Sequence, residues 1–593
     1  MVSMISELHF SLLVEALESG YSPQRSLAEK FDVSVGTINN ALKELIDANC
    51  ITSDMHILEG GIKALEPYKV DNAVIMAAGM SSRFAPLSYE KPKGLMIVKD
   101  SVLIEREIEQ LQAAGITDIT LVVGYMKEKF FYLGDKYNIT IRINEDYYRY
   151  NNTSSLIEVL DKLGNTYICS SDNYFSENVF TPYVYRSYYS AIYQEGSTDE
   201  YCLSINSKGL ITHVSFGGSD SWIMLGHVYF DRSFSATFKE ILQKEYTRSE
   251  TKQRLWEDLY ARYVKELPLY IQKYPHGIIN EFDSLDELRQ FDPLYIKNTD
   301  SNIMKNICTI LSCKEEDIQD IHPIKQGLTN TSFHFECNGH RYVYRHPGPG
   351  TEKIISRVSE AFSMKIAKNL GLDDTFITMD EQTGWKLSHY LEESRTMDYA
   401  NAEERKQALS LMRRLHDANL TSEFDYDMWS KAERFITLIG ERGRAAFEDF
   451  DSLYTAAHAV YQHAKADNIP KRLCHCDCYD TNFLIDTEEN MHLIDWEYSG
   501  NDDPGVDLGT FICCYDFTDE EAIDVIHTYA GKELPPKELR HWIGYVAITS
   551  YHWFLWAIYQ ESVGSTIGSF LYLWYRYAKR YSVKALDLYE ATT

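Results

Sequence analysis

The chain has 593 residues, 44% hydrophobic and 25% charged, enough for two or three cores that fold without metal or disulfide staples. A formal net charge of −30 repels nucleic acid and anionic lipid at long range, so the expected partners are small molecules or proteins. Eleven irregularly spaced cysteines point to a reducing, cytoplasmic setting rather than a disulfide framework.

In chain order, residues 1–68 read as short helices. Within SPQRSLAEKFDVSVGTINNALKELIDANCI, Ser22-Pro23 opens one helix, Phe31-Asp32-Val33 turns, and Ser34 caps a second. The segment resembles bacterial winged helix-turn-helix modules, with Thr37, Asn39, Asn40 and Lys43 on the recognition helix and a short wing near Ile51 to Leu58. Residues 1–70 hold ten acidic and five basic side chains. A net −5 is a poor phosphate-binding surface, which favours a packing or dimerisation module over DNA contact and leaves a homo-oligomer open.

From Val70 to about residue 295, apolar strands alternate with amphipathic helices: VDNAVIMAAG, a helix from Leu103 to Gly115, ITDITLVVG, then NTYICSSDNY. The pattern predicts a parallel α/β sheet. AVIMAAGMSSRFAPLSYEKPKGLMIV resembles the signature loop of sugar-nucleotide pyrophosphorylases and related nucleotidyltransferases, a Rossmann-like fold. The resemblance implies that backbone amides of Ala78, Gly79 and Ser81 surround a nucleoside triphosphate, with Arg83 and Lys93 on its phosphates. Ser81 stands where the family usually has a second glycine. Asp172 and Asp283 match the positions of its magnesium ligands; taken alone, they read as a turn aspartate and a helix N-cap before SLDEL. More narrowly, VVGYMKE, NEDYYRYNNTSSL and SSDNY resemble CTP:phosphocholine cytidylyltransferases, which implies Trp256 and Glu281 near a quaternary ammonium, with Tyr174 and Trp222 as further aromatic candidates.

Between residues 300 and 593, short strands (HFECNGHRYVYRHPG) give way to helices, as in a bilobal kinase-like α+β domain. The run Cys474-His475-Cys476-Asp477-Cys478 invites a zinc reading. The spacing His475-x-Asp477, then Asn482, then Asp495 instead supplies a base for a substrate hydroxyl and two ligands for ATP-associated magnesium. It resembles the HxDxxxxN and IDxE signatures of aminoglycoside phosphotransferases and choline kinases, whose cysteine positions vary. The resemblance extends upstream to IKQGLTNTSFHF, with Gly327, Thr329 and Asn330 in a phosphate-covering turn, and to Arg345 on the phosphates with Glu360 as its ion-pair partner. It also makes WKLSHYL the hinge beside adenine. Tyr498, Trp553 and Trp556 match an aromatic cage for a trimethylammonium group. The apolar run Trp542 to Tyr559, which carries His552, is expected to be a buried helix with no membrane insertion.

The reading is therefore a bifunctional enzyme. Its third domain makes phosphocholine from choline and ATP, and its middle domain uses CTP to convert phosphocholine into CDP-choline and pyrophosphate, both with Mg2+. The alternatives are the same chemistry on ethanolamine or another amino alcohol, and a metabolite-sensing transcriptional regulator.

Overall fold

The computed structural model describes residues 5–324, 330–348, 356–563 and 567–592. The chain divides into two compact units, Met1–Glu316 and Asp317–Thr593.

The first unit begins with helices Glu7–Glu18, Gln24–Lys30 and Val35–Asp47. Ser34 caps the third by accepting from the Thr37 amide. The wing is reduced to one antiparallel bridge, Ile51↔Ile57. Ile38, Leu42 and Leu45 face inward from Val35–Asp47, leaving Thr37, Asn39, Asn40 and Lys43 exposed. The helices rest on the following domain through Tyr68, which stacks on Tyr185 at 5.4 Å, and through Glu7, which pairs with Arg186 at 2.9 Å.

That domain is a seven-stranded sheet. Asn72–Ala77 lies between Ile119–Val123 and Thr166–Ser170, all parallel. The sheet is mixed rather than wholly parallel, because Tyr188–Ile205 and Ile211–Phe230 form a long antiparallel hairpin whose second strand pairs with Thr166–Ser170. Polar residues through the hairpin's middle leave it exposed there, so the sequence carries no continuous apolar run to mark it. The chain leaves Asn72–Ala77 for strands on one side and returns on the other at Thr166–Ser170. This makes the crevice between their carboxyl ends the topological switch point, where ligands bind in open α/β sheets.

The second unit opens with a five-stranded antiparallel sheet in the order Ile318–Ile324, Asn330–Cys337, His340–Pro347, Lys386–His389, Phe376–Met379. A mainly helical lobe follows. Its central helix, Pro536–Ser562, is buried over most of its length, and among the described residues no helix is long and apolar enough to cross a membrane.

Candidate active sites

At the switch point of the first unit, the loop after Asn72–Ala77 forms one wall of a cavity of about 600 Å³, with Gly79 and Ser81 facing Tyr147, Tyr148 and Asn151. That volume suits a nucleotide. A Cβ at Gly79 would meet nothing within 4 Å, so the backbone faces open space. Ser81 adopts φ 47°, ψ 45°, a left-handed conformation that costs a non-glycine residue about 1–2 kcal/mol. The glycine usual there would be unstrained. Asn144 and Tyr147–Asn152 form the opposite wall and were missed as site residues, although NEDYYRYNN packs aromatic and amide side chains into a loop between strand and helix.

Lys93, 6% exposed, places Nζ 2.9 Å from Asp172 Oδ2, and the Ser170 hydroxyl donates to Asp172 Oδ1 at 2.6 Å. Gly94 permits this approach, since a Cβ there would lie 2.8 Å from Ser171 Oγ. Burial disfavours the ammonium, but Asp172, Glu281 and Asp283 outweigh it and hold Lys93 above its ordinary pKa. Burial likewise works against the Asp172 charge, yet Lys93 and Ser170 keep its carboxyl low. Glu281 opens onto this cluster; desolvation in the cleft, then the Asp172 charge, push its carboxyl up to about 8. Arg83 reaches Asp283 at 2.9 Å. Ser284, not Asp283, caps the following helix, which leaves the Asp283 carboxylate to the cleft.

The structure does not bring Trp256 to this cleft, a departure from the sequence expectation. It is 1% exposed, stacks on Tyr189 at 5.7 Å and packs edge-on against Phe230 and Phe238. The rings of Tyr174 and Trp222 already carry Arg106 and Lys273 at 4.7 and 4.8 Å. Glu257, which the sequence reading passed over, accepts from Tyr189 Oη at 3.3 Å and Asn152 Nδ2 at 3.2 Å. Burial pushes it up to about 7, and the charges of both Glu257 and Glu281 reach Tyr189.

In the second unit, Arg345 on His340–Pro347 reaches Glu360 at 2.5 Å. Glu360 is fully buried and also pairs with Arg357 at 3.1 Å. Arg345 lies 4.0 Å from Asp495. Asn330 donates to Glu497 at 2.9 Å and accepts from Arg357 at 3.2 Å. Gly327 and Thr329 lie outside the described residues.

Asn482 Nδ2 donates to the Asp477 carbonyl at 2.8 Å and to its Oδ2 at 3.1 Å, joining the two ends of the predicted motif. His475 donates through Nε2 to the Ile494 carbonyl at 2.8 Å and accepts the Asp477 amide at Nδ1. This fixes a neutral tautomer, and burial lowers the ring's pKa. Burial, then the charges of Asp495 and Glu497, raise the Asp477 carboxyl well above its usual range. Glu497 is pushed up to about 7 by burial and Asp495. Buried Asp507, which no motif marked, accepts from the amides of His475 and Cys476 at 2.9 and 2.6 Å and from His416 at 2.9 Å. It holds the loop that carries Asp477.

The three cysteines of the run do not converge: among the described residues only Cys474 lies in a group with ligand geometry, within 4.8 Å of His416 and Asp507, whose nitrogen and carboxylate already pair with each other. Cys474 Sγ donates to the Asp502 carbonyl and Cys476 Sγ to that of Gly500, while burial raises all three thiols in the run well above their ordinary pKa. Trp553 and Trp556 meet edge-to-face at 5.6 Å, and Trp574 joins them at 6.0 and 6.2 Å. Tyr498 and Cys514 both feel the Asp477 charge, and Trp574 acts on the same Cys514 thiol. Lys386–His389 is hydrogen-bonded on both edges. Its backbone is therefore committed to the sheet, and the Tyr390 amide that follows donates to the Arg341 carbonyl at 3.0 Å.

Residues 73–204 match the family described as MobA-like NTP transferase domain, and residues 321–544 the family described as Choline/ethanolamine kinase. A choline-phosphate cytidylyltransferase of Streptococcus pneumoniae is 32% identical over 226 residues, 38% of this chain and 98% of that protein. A 2-aminoethylphosphonate cytidylyltransferase of Lancefieldella rimae is 35% identical over 38% of this chain and 93% of its own length. Protein LicA of Haemophilus influenzae is 26% identical over 41% of this chain and 94% of its own length.

Proposed function

Since the chain belongs to the choline-phosphate cytidylyltransferase family and joins to that domain a choline/ethanolamine kinase domain, we propose that it makes CDP-choline in two steps. The second unit phosphorylates choline with ATP. The first transfers CMP from CTP to the resulting phosphocholine and releases pyrophosphate.

The observation that carries this reading is the presence in one chain of two charged clusters, one around Asp477, Asn482 and Asp495 and one around Lys93, Asp172 and Asp283. In the kinase site, Asp477 accepts the hydroxyl proton of choline while Asn482 orients its carboxylate, and Arg345 steadies the ATP phosphates. Tyr498 and Trp556, both half-buried, offer aromatic faces for the trimethylammonium, each contact contributing ~0.5–2 kcal/mol when desolvated, whereas Trp553 and Trp574 are buried against Trp556. In the transferase site, Lys93 and Arg83 face the CTP phosphates; Glu281 and Glu257 give the cationic head group a counter-charge that buried Trp256 cannot. The surplus carboxylates fit Mg2+, held by Asp172 and Asp283 in one site and by Asn482 and Asp495 in the other; the ion would supply charge neutralisation on the phosphates.

A second reading, amino-alcohol substrates without methyl groups, draws support from the relative that acts on 2-aminoethylphosphonate. A phosphorus NMR time course with ATP, CTP and Mg2+ separates the two, run with choline or ethanolamine and, for the transferase alone, with 2-aminoethylphosphonate. Phosphocholine that rises and then gives way to CDP-choline is the expected result. Turnover of ethanolamine with choline left untouched would transfer the assignment to the second reading, and no turnover of either would refute both.

A further inference from the structure

We infer that Lys386 is a second phosphate-binding cation of the kinase site, standing beside Arg345 against the nucleotide's phosphates. The inference rests on the kinase reading and deepens it.

Arg345 and Lys386 are direct cross-strand partners between His340–Pro347 and Lys386–His389, so their side chains leave the same face of the sheet. That face is fixed by Arg345, which reaches Glu360 at 2.5 Å and lies 4.0 Å from Asp495. Lys386 therefore extends toward the same cleft, and the charges of Arg345, Glu360, Asp495 and Asp373 all reach it.

Arg345 and Arg357 already share the Glu360 carboxylate. Among the described residues, the Lys386 ammonium makes no hydrogen bond or ion pair. Glu360 is held at ion-pair distance by the two arginines and reaches Lys386 through its charge alone, so the Lys386 ammonium keeps its donors for a further anion placed between it and Arg345. A polyphosphate has the geometry to lie there, because adjacent phosphates can each take one cation. The strand's backbone is hydrogen-bonded on both edges, so here the chain can offer a ligand a side chain and not a free amide.

The test compares AMP and ATP binding by calorimetry in the full-length wild type, Lys386→Met and Lys386→Arg. Expected are unchanged AMP affinity in Lys386→Met, a ten- to hundredfold loss for ATP, the scale of one charged hydrogen bond, and recovery of most of that loss in Lys386→Arg. Equal weakening of AMP and ATP would show a merely structural lysine, and an unchanged ATP affinity would show that the ammonium does not face the phosphates; either overturns the inference. Acetylation footprinting of the wild type keeps the test independent of how the variants fold. ATP, and not AMP, should shield Lys386, and equal labelling with and without ATP would count against it. A wild type that binds ATP and phosphorylates choline while both tests fail sinks only Lys386. A wild type that does neither refutes the kinase reading, and the inference with it.

Discussion

Replacing Glu257 by glutamine should stabilise the transferase domain at high pH and destabilise it at low pH. Burial lifts the Glu257 carboxyl from its ordinary 4.5 to about 7, against the Asn152 and Tyr189 hydrogen bonds that favour its charge. Between those values the unfolded chain has released a proton that the folded chain still holds. Folding stability therefore falls as pH rises from about 4.5 to about 7 and stays lower, by about 3 kcal/mol, above that range. Glutamine carries no charge to desolvate, but it has one acceptor oxygen where Glu257 accepts from two donors, and one lost hydrogen bond costs about 1 kcal/mol. The net expectation is a gain of about 2 kcal/mol at pH 8, near-cancellation at about pH 5, and a loss of about 1 kcal/mol at about pH 3.5, where both states hold the proton. For a domain of this size that corresponds to a Tm higher by roughly 4–8 °C and lower by roughly 2–4 °C. Scanning calorimetry with and without CTP identifies the transferase transition and reads both shifts. A Tm change of the same sign at about pH 3.5 and pH 8 would refute the burial argument.

Asp477→Asn should lower kcat for choline phosphorylation by about 10²–10⁴ while leaving cytidylyl transfer from supplied phosphocholine intact; loss of both activities in a folded variant would sink the assignment of separate sites. Lys93→Met should do the reverse, because it leaves Asp172 buried without its counter-charge. That mispairing also costs stability, about 3–5 kcal/mol if no water compensates, and is read as the fall in the transferase transition beside an unchanged kinase rate. The thiols of Cys474, Cys476 and Cys478 should resist a thiol-exchange reagent until the kinase domain unfolds, and the pure protein should carry no stoichiometric zinc in elemental analysis. Bound zinc released on chelation with loss of kinase activity would reopen the metal reading.

What was legible in the sequence was chemistry tied to spacing. Asp477, Asn482 and Asp495 meet because a short loop and one hairpin separate them, so local chain geometry brings the motif together. Lys93, Asp172 and Asp283 are far apart in sequence, and the reading of the first loop survives because the α/β topology delivers strand ends to one crevice. Trp256 misled for a physical reason visible in its own helix. Trp256, Leu259 and Tyr260 follow the i, i+3, i+4 rule and are all buried. The residue between them that faces polar partners is Glu257. In the same way Trp385-Lys386-Leu387 reads as a hinge by resemblance, whereas alternation along a central strand gives Lys386 a face of its own. Asp507 had no legible signal, since its work is to accept backbone amides from a loop 31 and 32 residues upstream.

Both clefts meet the same electrostatic difficulty, that a chain of net charge −30 must hold triphosphates. Neither does so with a simply basic pocket. Lys93 and Arg83 stand among Asp172, Glu281 and Asp283; Arg345, Arg357 and Lys386 stand among Glu360, Asp477, Asp495 and Glu497. In each cleft carboxylates outnumber cations by one; burial first, and then a neighbouring carboxylate charge, lifts Glu281 to about 8 and Glu497 to about 7. A bare triphosphate brings more negative charge to either cluster. A divalent-metal complex of the nucleotide brings the charge that the carboxylates lack, and a cationic head group does the same on the acceptor side. Chelating divalent ions should therefore weaken both ATP and CTP binding by an order of magnitude or more in calorimetry. Equal affinity for free and metal-bound nucleotide would show that the buried cations suffice and that the acidic excess has another cause.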